Sequence, residues 1–261
     1  MSADDIEASK APLIEHLIEL RQRLMRACLA VAVIFACLFP FANEIWVIVA
    51  KPLTDVLPDN TSTISTDIVA PFLTPLKATF YVALCLAMPV ILHQGWQFVA
   101  PGLYRRERRF AVPLVVSSIL LFYAGVAFCY FVVFGMVFAF IFQTVPETVQ
   151  WVPDINKILS FALRMSFSFG IAFEIPIATF MLIWSGLVSI EALGKARPYV
   201  FLGAFVAGMF LTPPDAISQT MLAVPMYLLY EAGLILARIL LRDRIAAHKA
   251  AREAEDSDAG S

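Results

Sequence analysis

Long apolar runs alternate with short polar stretches along nearly the whole chain, and their spacing predicts six membrane-spanning helices. The spans are expected at about Ala27–Val49, Leu76–Phe98, Phe110–Phe134, Ile158–Ile183, Tyr199–Leu211 and Ile217–Ala237. The third apolar run continues to Phe142, so that helix is expected to be long and to project outward. Pro89 lies inside the second span and predicts a kink, because proline removes one backbone hydrogen bond and crowds the preceding turn. The fifth span has only thirteen residues before Thr212-Pro-Pro-Asp215. These rise about 20 Å, short of a hydrocarbon core roughly 30 Å thick. The sixth follows at once, so the last two spans are expected to leave a thinner flank where lipid or a partner must distort.

Between the runs, His16–Leu24 reads as the start of the first helix, with Leu17, Leu20 and Leu24 on one apolar face. Met1–Leu13 and His248–Ser261 are polar and are expected to be disordered. Lys51–Pro75 carries four prolines and reads as an outside segment with short interfacial helices. Gln143–Asn156 is a second outside loop, and Ser189-Ile-Glu191 is a helix start within the inside loop Ser185–Pro198. The resulting organisation is a cytoplasmic N-terminal segment (1–26), a six-span domain (27–237) and a cytoplasmic tail (238–261). The fold class is an all-α membrane protein with both ends inside. The first and last three spans match neither in length nor in motif, which argues against inverted repeats.

Charge fixes the orientation. Of 261 residues, 60% are hydrophobic and 15% charged, and the mean hydropathy is +0.79, which excludes a soluble globule. Fifteen of the nineteen Lys and Arg fall in the segments placed inside, four of them in the tight loop Arg105-Arg-Glu-Arg-Arg109. The outside segments carry mainly acids: Asp55, Asp59, Asp67, Glu147, Asp154 and Asp215. Positive residues stay cytoplasmic, so the asymmetry sets the topology at every loop. The four cysteines lie in or beside apolar segments without metal-ligand spacing and read as packing residues, not disulfides. The acidic, polar Met1–Lys10 does not read as a cleavable signal peptide, so the first span is expected to direct its own insertion.

Candidate chemistry is sparse. No phosphate loop, metal-ligand spacing or nucleophile with a nearby base is visible, and the isolated His16, His93 and His248 read as packing or solvation. Glu107 sits among four arginines, and on composition alone the simpler reading is local pairing at a wet interface. Glu19 and Arg23 are four apart in the favourable order and form a local helix pair by the same reasoning. Glu174, near mid-depth in the fourth span, is costly unless paired, protonated or hydrated. It reads either as a site or as a packing hydrogen bond, with Gln219 or Thr212 as partners. Phe173-Glu-Ile-Pro176 should bend its helix beside the acid.

In order and spacing, several stretches resemble the TatC family, the polytopic subunit of the twin-arginine protein translocase. They are His16-Leu-Ile-Glu-Leu-Arg-Gln-Arg23, Pro71-Phe-Leu-Thr-Pro75, Phe98-Val-Ala-Pro-Gly-Leu-Tyr-Arg-Arg-Glu-Arg-Arg109, Phe173-Glu-Ile-Pro176, Arg197-Pro-Tyr199 and Leu211-Thr-Pro-Pro-Asp-Ala-Ile-Ser-Gln219. The resemblance spans about Leu13 to Arg242. It implies a receptor in the bacterial inner membrane for folded cargo bearing twin-arginine signal peptides, neither an enzyme nor a holder of cofactors, and driven by the proton-motive force. Glu19 and Glu107 correspond to the acids that read the arginine pair, and Arg21, Arg23, Arg105 and Arg108 would orient them. Phe98, Pro52, Phe72 and Asp215 match positions that matter in the family. The resemblance also implies self-association and contact with lipid and with TatA- and TatB-type single-span partners, along the last two spans and the polar patch of Glu174, Gln219 and Thr212. The competing reading is a self-contained secondary transporter or proton channel using Glu174. A third is a scaffold that only gathers partner helices.

Overall fold

The computed structural model describes residues 3–55, 64, 68–99, 108–144, 152, 154–211 and 216–241. Every described apolar run is helical. Helix α1 covers Ala3–Leu38, a 3₁₀ turn Phe39–Phe41, α2 Ala42–Asp55 and α3 Ala70–Val99. Then come α4 (Arg108–Phe128), a π-turn (Cys129–Val133), α5 (Phe134–Thr144), α6 (Ile155–Ala172), α7 (Ile175–Trp184), α8 (Ile190–Leu211) and α9 (Ala216–Leu240). Among the described residues the only β pairing is a single parallel bridge between Ile64 and Asp154.

Among the described residues, five stretches are long and apolar enough to cross a membrane: Leu17–Lys51, Ala70–Phe98, Val112–Phe140, Ile155–Trp184 and Gln219–Leu240. Helix α8 supplies the short span. Its first eight residues include Glu191, Lys195 and Arg197, so only the fourteen residues from Pro198 to Leu211 form an uncharged run.

Several boundaries differ from the sequence expectation, each for a local reason. The segment before Leu13 is helical from Ala3 rather than disordered. Alanine is a good helix former, and the segment holds Ala3, Ala8 and Ala11. The first span is interrupted at Phe39-Pro40-Phe41, where proline cannot donate the helical bond. Most of the expected interfacial helices of the first outside segment lie outside the described residues, although α2 runs on to Asp55. Helix α3 continues through Pro89, and Pro71 in its first turn is tolerated because that N–H has no helical partner anyway. The long third helix appears as expected, but the Phe134 N–H bonds the Cys129 carbonyl, which inserts a π-turn.

The expected bend at Phe173–Pro176 is present: α6 ends at Ala172 and α7 restarts at Ile175, with Pro176 in its first turn. Ser189 opens α8 as foreseen, its Oγ accepting the Ala192 N–H at 3.2 Å. Asp154 opens α6 in the same way, accepting from Asn156 at 2.9 Å. Between α7 and α8 the chain reverses at Gly186, whose φ of 73° is a conformation that glycine takes without strain. Cys28 and Cys37 are exposed, Cys85 is half-buried and Cys129 is buried; all are free.

The helices group into two units, Met1–Leu120 with Val145–Leu163, and Leu121–Thr144 with Arg164–Ser261. In the first, α1 and α2 pack on α3, Phe35 meets Phe80 edge to face at 6.0 Å, and Trp96 Nε1 donates to Ser118 Oγ at 2.7 Å. In the second, α9 packs on α7 and α8. Helix backbones approach closely there because glycines sit at the crossings. A Cβ on Gly125 would lie 2.5 Å from the Phe169 carbonyl oxygen, and one on Gly233 would lie 2.8 Å from Pro176 Cα. Phe169 lies at the first crossing and Phe122 packs against the adjacent Gly170, and both are fully buried.

Gly125→Val should therefore force the backbones apart and cost about 1–3 kcal/mol of folded-state stability. Gly203, whose Cβ would meet nothing within 4 Å, is the control. Thermal unfolding in detergent should show a lowered midpoint for Gly125→Val and little change for Gly203→Ala.

Candidate functional site

Two polar constellations stand where apolar helices reach the side that the charge pattern marks as cytoplasmic. The first joins α1 to α3. Glu19 and Arg23 are one helical turn apart, so their side chains meet on one face of α1. Arg23 places both Nε and Nη2 on Glu19 Oε1, at 3.1 and 2.5 Å. Its remaining Nη1 donates to Gln97 Oε1 at 2.6 Å, across 74 residues of sequence. With that oxygen occupied, the Gln97 amide nitrogen is the donor, and it lies 3.1 Å from His93 Nε2 one turn earlier on α3. The arginine side chain is 17% exposed and the glutamate 42%, so the carboxylate is the more accessible partner. Phe98, the next residue on α3, is half-buried, and Arg21 is exposed.

The second constellation joins α8 to α9. Arg197 forks onto Glu231, Nε to Oε1 at 2.6 Å and Nη2 to Oε2 at 3.0 Å. Tyr227, one turn before Glu231, donates to Oε1 at 2.9 Å, and Tyr230 donates to the Leu193 carbonyl at 2.7 Å. The bonds to Glu231 hold the Arg197 guanidinium above its already high ordinary pKa, so it stays charged. A planar fork on a carboxylate fixes orientation as well as charge, and here it ties the bases of two spans.

Deeper in the fourth span, Glu174 stands at the break between α6 and α7. Its carbonyl accepts from Ala178 at 2.8 Å, and its Oε1 is sealed from solvent although the residue is half-buried. Gln219 donates to the Phe205 carbonyl at 2.7 Å and rests its Cγ against Gly208, so it ties the start of α9 to α8. Between the π-turn region and α9 lies an apolar cavity of about 580 Å³, lined by Phe128, Val132, Val133, Met136, Met221 and Val224 among others.

The other sequence candidates fall as follows. Phe72, in the first turn of α3, is 68% exposed. Pro52 lies in α2 and Arg108 opens α4, but their side chains are not among those described. Arg105, Glu107, Thr212 and Asp215 lie outside the described residues. Sequence reasoning found Glu19 and Arg23 from their spacing. It set His93 aside as isolated and did not single out Gln97, because nothing in a linear pattern joins position 23 to position 97. It also passed over Glu231, although an acid inside an apolar run was a usable signal.

Residues 15–225 match the protein family described as Sec-independent protein translocase protein (TatC). The chain belongs to the TatC family. It is 54% identical over 237 residues to the Sec-independent protein translocase protein TatC of Azotobacter chroococcum mcd 1, covering 90% of this chain and 93% of that one. With its counterpart in Escherichia coli (strain K12) it shares 53% over 238 residues, 91% of each chain. It also superposes on the solved structure described as “Crystal Structure of Twin Arginine Translocase Receptor- TatC”. That match has a TM-score of 0.78 and 34% identity, and covers 86% of this chain and 98% of that one. As a member of the family, the chain is a multi-pass bacterial inner-membrane subunit of a protein translocase, not an enzyme.

The Arg197–Glu231 fork generates a prediction. Arg197→Gln and Glu231→Gln should each lower the thermal midpoint in detergent by a few degrees. The double variant should lose less than the sum, because both changes remove one shared interaction. Strict additivity of the two losses would show that the pair carries no coupling.

Proposed function

We propose that this TatC-family subunit is the receptor that reads twin-arginine signal peptides at the cytoplasmic face, with Glu19 and Glu107 as the reading acids. The observation that carries the proposal is the Glu19 carboxylate. It is half-exposed at the membrane rim and already engaged by a guanidinium, so the site is built for that group. A carboxylate and a guanidinium form short, charge-assisted, paired bonds that an ammonium does not reproduce. Arg21, Arg105 and Arg108 add positive charge around the acids, which disfavours ordinary basic sequences without a fork. Phe98, which follows Gln97 on α3, is assigned to the same site on the resemblance. A relative described as a twin-arginine translocase receptor is consistent with this assignment.

For assembly, the reading is that TatA- and TatB-type single-span helices seat along the last two spans. Glu174, Gln219 and Thr212 supply polar contacts, and the neighbouring cavity supplies apolar ones. Polar contacts in lipid hold helices by about 1 kcal/mol each, which suits partners that dock and leave. The short α8 span adds a thinned flank where lipid yields, the receptor self-associates in the resting complex, and the proton-motive force drives transport. Pro52, Phe72 and Asp215 are assigned to this machinery on the resemblance alone.

The test is binding of a synthetic twin-arginine signal peptide to the purified subunit in detergent. Glu19→Gln and Glu107→Gln should each weaken binding about tenfold or more, the loss of a hydrogen bond to a charged group. Unchanged binding in both variants would return the acids to local ion pairing.

A further inference from the structure

We propose that Arg23 is a built-in occupant of the Glu19 site, held in place by Gln97, and that it sets the discrimination between arginine and lysine in the incoming peptide. The inference rests on the reading of Glu19 as a recognition acid. It adds that peptide binding at this acid is an exchange of one guanidinium for another.

Three features carry it. Arg23 sends two donors to one carboxylate oxygen, Glu19 Oε1, which is the kind of contact a peptide arginine has to make. An isolated pair four residues apart on an exposed helix is weak, because two long side chains must be held in one geometry. Here the arginine is already immobilised by its third donor, Nη1, on Gln97 of another helix. Gln97 is itself braced against His93. The second partner of the pair is thus ordered in advance, and the occupant persists. Finally, the exposure is asymmetric, with the arginine at 17% and the acid at 42%. A ligand from solvent reaches the carboxylate more readily than it reaches the arginine that guards it.

The consequence is selectivity. A peptide arginine returns two aligned donors for the two it displaces. A peptide lysine offers a compact ammonium and returns fewer aligned bonds, so it meets a penalty that an unoccupied carboxylate would not impose. Discrimination of this kind comes from a built-in competitor as much as from the attractive contact. Gln97 has a second use in the exchange, since it retains one Arg23 donor when the others are released.

The experiment measures the Kd of one synthetic signal peptide in Arg-Arg and Lys-Lys forms against the full-length subunit in detergent, with the fold of each variant checked by thermal unfolding. Arg23→Lys keeps the charge and removes the fork; Gln97→Leu keeps the bulk and removes the anchor. Arg23→Lys should lower the ratio of the Lys-Lys Kd to the Arg-Arg Kd by about two- to fivefold, chiefly by tightening the Lys-Lys peptide. Gln97→Leu should move it the same way by less. Weaker binding of both peptides would make Arg23 a brace rather than an occupant and overturn the inference, and so would an unchanged ratio. Glu19→Gln separates the two levels. If it weakens the Arg-Arg peptide while the Arg23→Lys ratio stays fixed, only the occupant is overturned; if it leaves that peptide untouched, both readings fail together.

Discussion

Hydrocarbon cannot hydrate a polar group, and this constraint governs the whole chain. It requires the apolar runs to be helical, because only a helix satisfies its own backbone within one segment. It also keeps most side-chain charge at the ends of the apolar runs, where Glu19, Arg23 and Arg197 are found. Glu174 lies within the apolar depth, and it stands where α6 breaks and α7 restarts. An interrupted helix exposes backbone polar groups, so a polar side chain is least out of place there. The bend and the acid therefore belong to one local solution, in which Pro176 supplies the break.

The same constraint shapes packing. Lipid tails are as apolar as leucine, so helices gain little by hiding leucines from lipid and much by fitting closely. In the second unit, closeness comes from Gly125, Gly170 and Gly233, where a methyl group would collide with a neighbouring backbone or ring. Aromatic rings fill what the glycines leave, as with Phe128, which lies 5.8 Å from Phe169 and 5.5 Å from Phe173. The Arg197–Glu231 fork then ties α8 to α9 near their cytoplasmic ends. In the first unit, the Arg23–Gln97 bond does the same for α1 and α3. Both ties use arginine, whose several donors in one plane let a single side chain serve two partners or grip one twice.

These ties also order the polar rim. A carboxylate on a lone exposed helix would wander with its rotamers. Glu19 is instead fixed through Arg23 to a second helix, so the surface offered to a ligand has a defined geometry. A relative solved as a twin-arginine translocase receptor places this arrangement in a family whose business is protein transport. The Glu19 carboxylate already holds one guanidinium, that of Arg23.

Local periodicity was enough to read the apolar helical runs, the bend at Phe173–Pro176 and the Glu19–Arg23 pair. Each depends on residues within a few turns of one another, and for them the bilayer acts as a strong external template. Tertiary structure alone decided the rest. The π-turn at Cys129–Val133 is a backbone adjustment that composition does not announce. The glycine crossings, the Gln97–His93 relay behind Arg23 and the Glu231 partner of Arg197 join positions that the chain separates widely, 74 residues in one case and 34 in another. A linear pattern says which face of a helix is polar; only the packing of helices says which other helix that face meets.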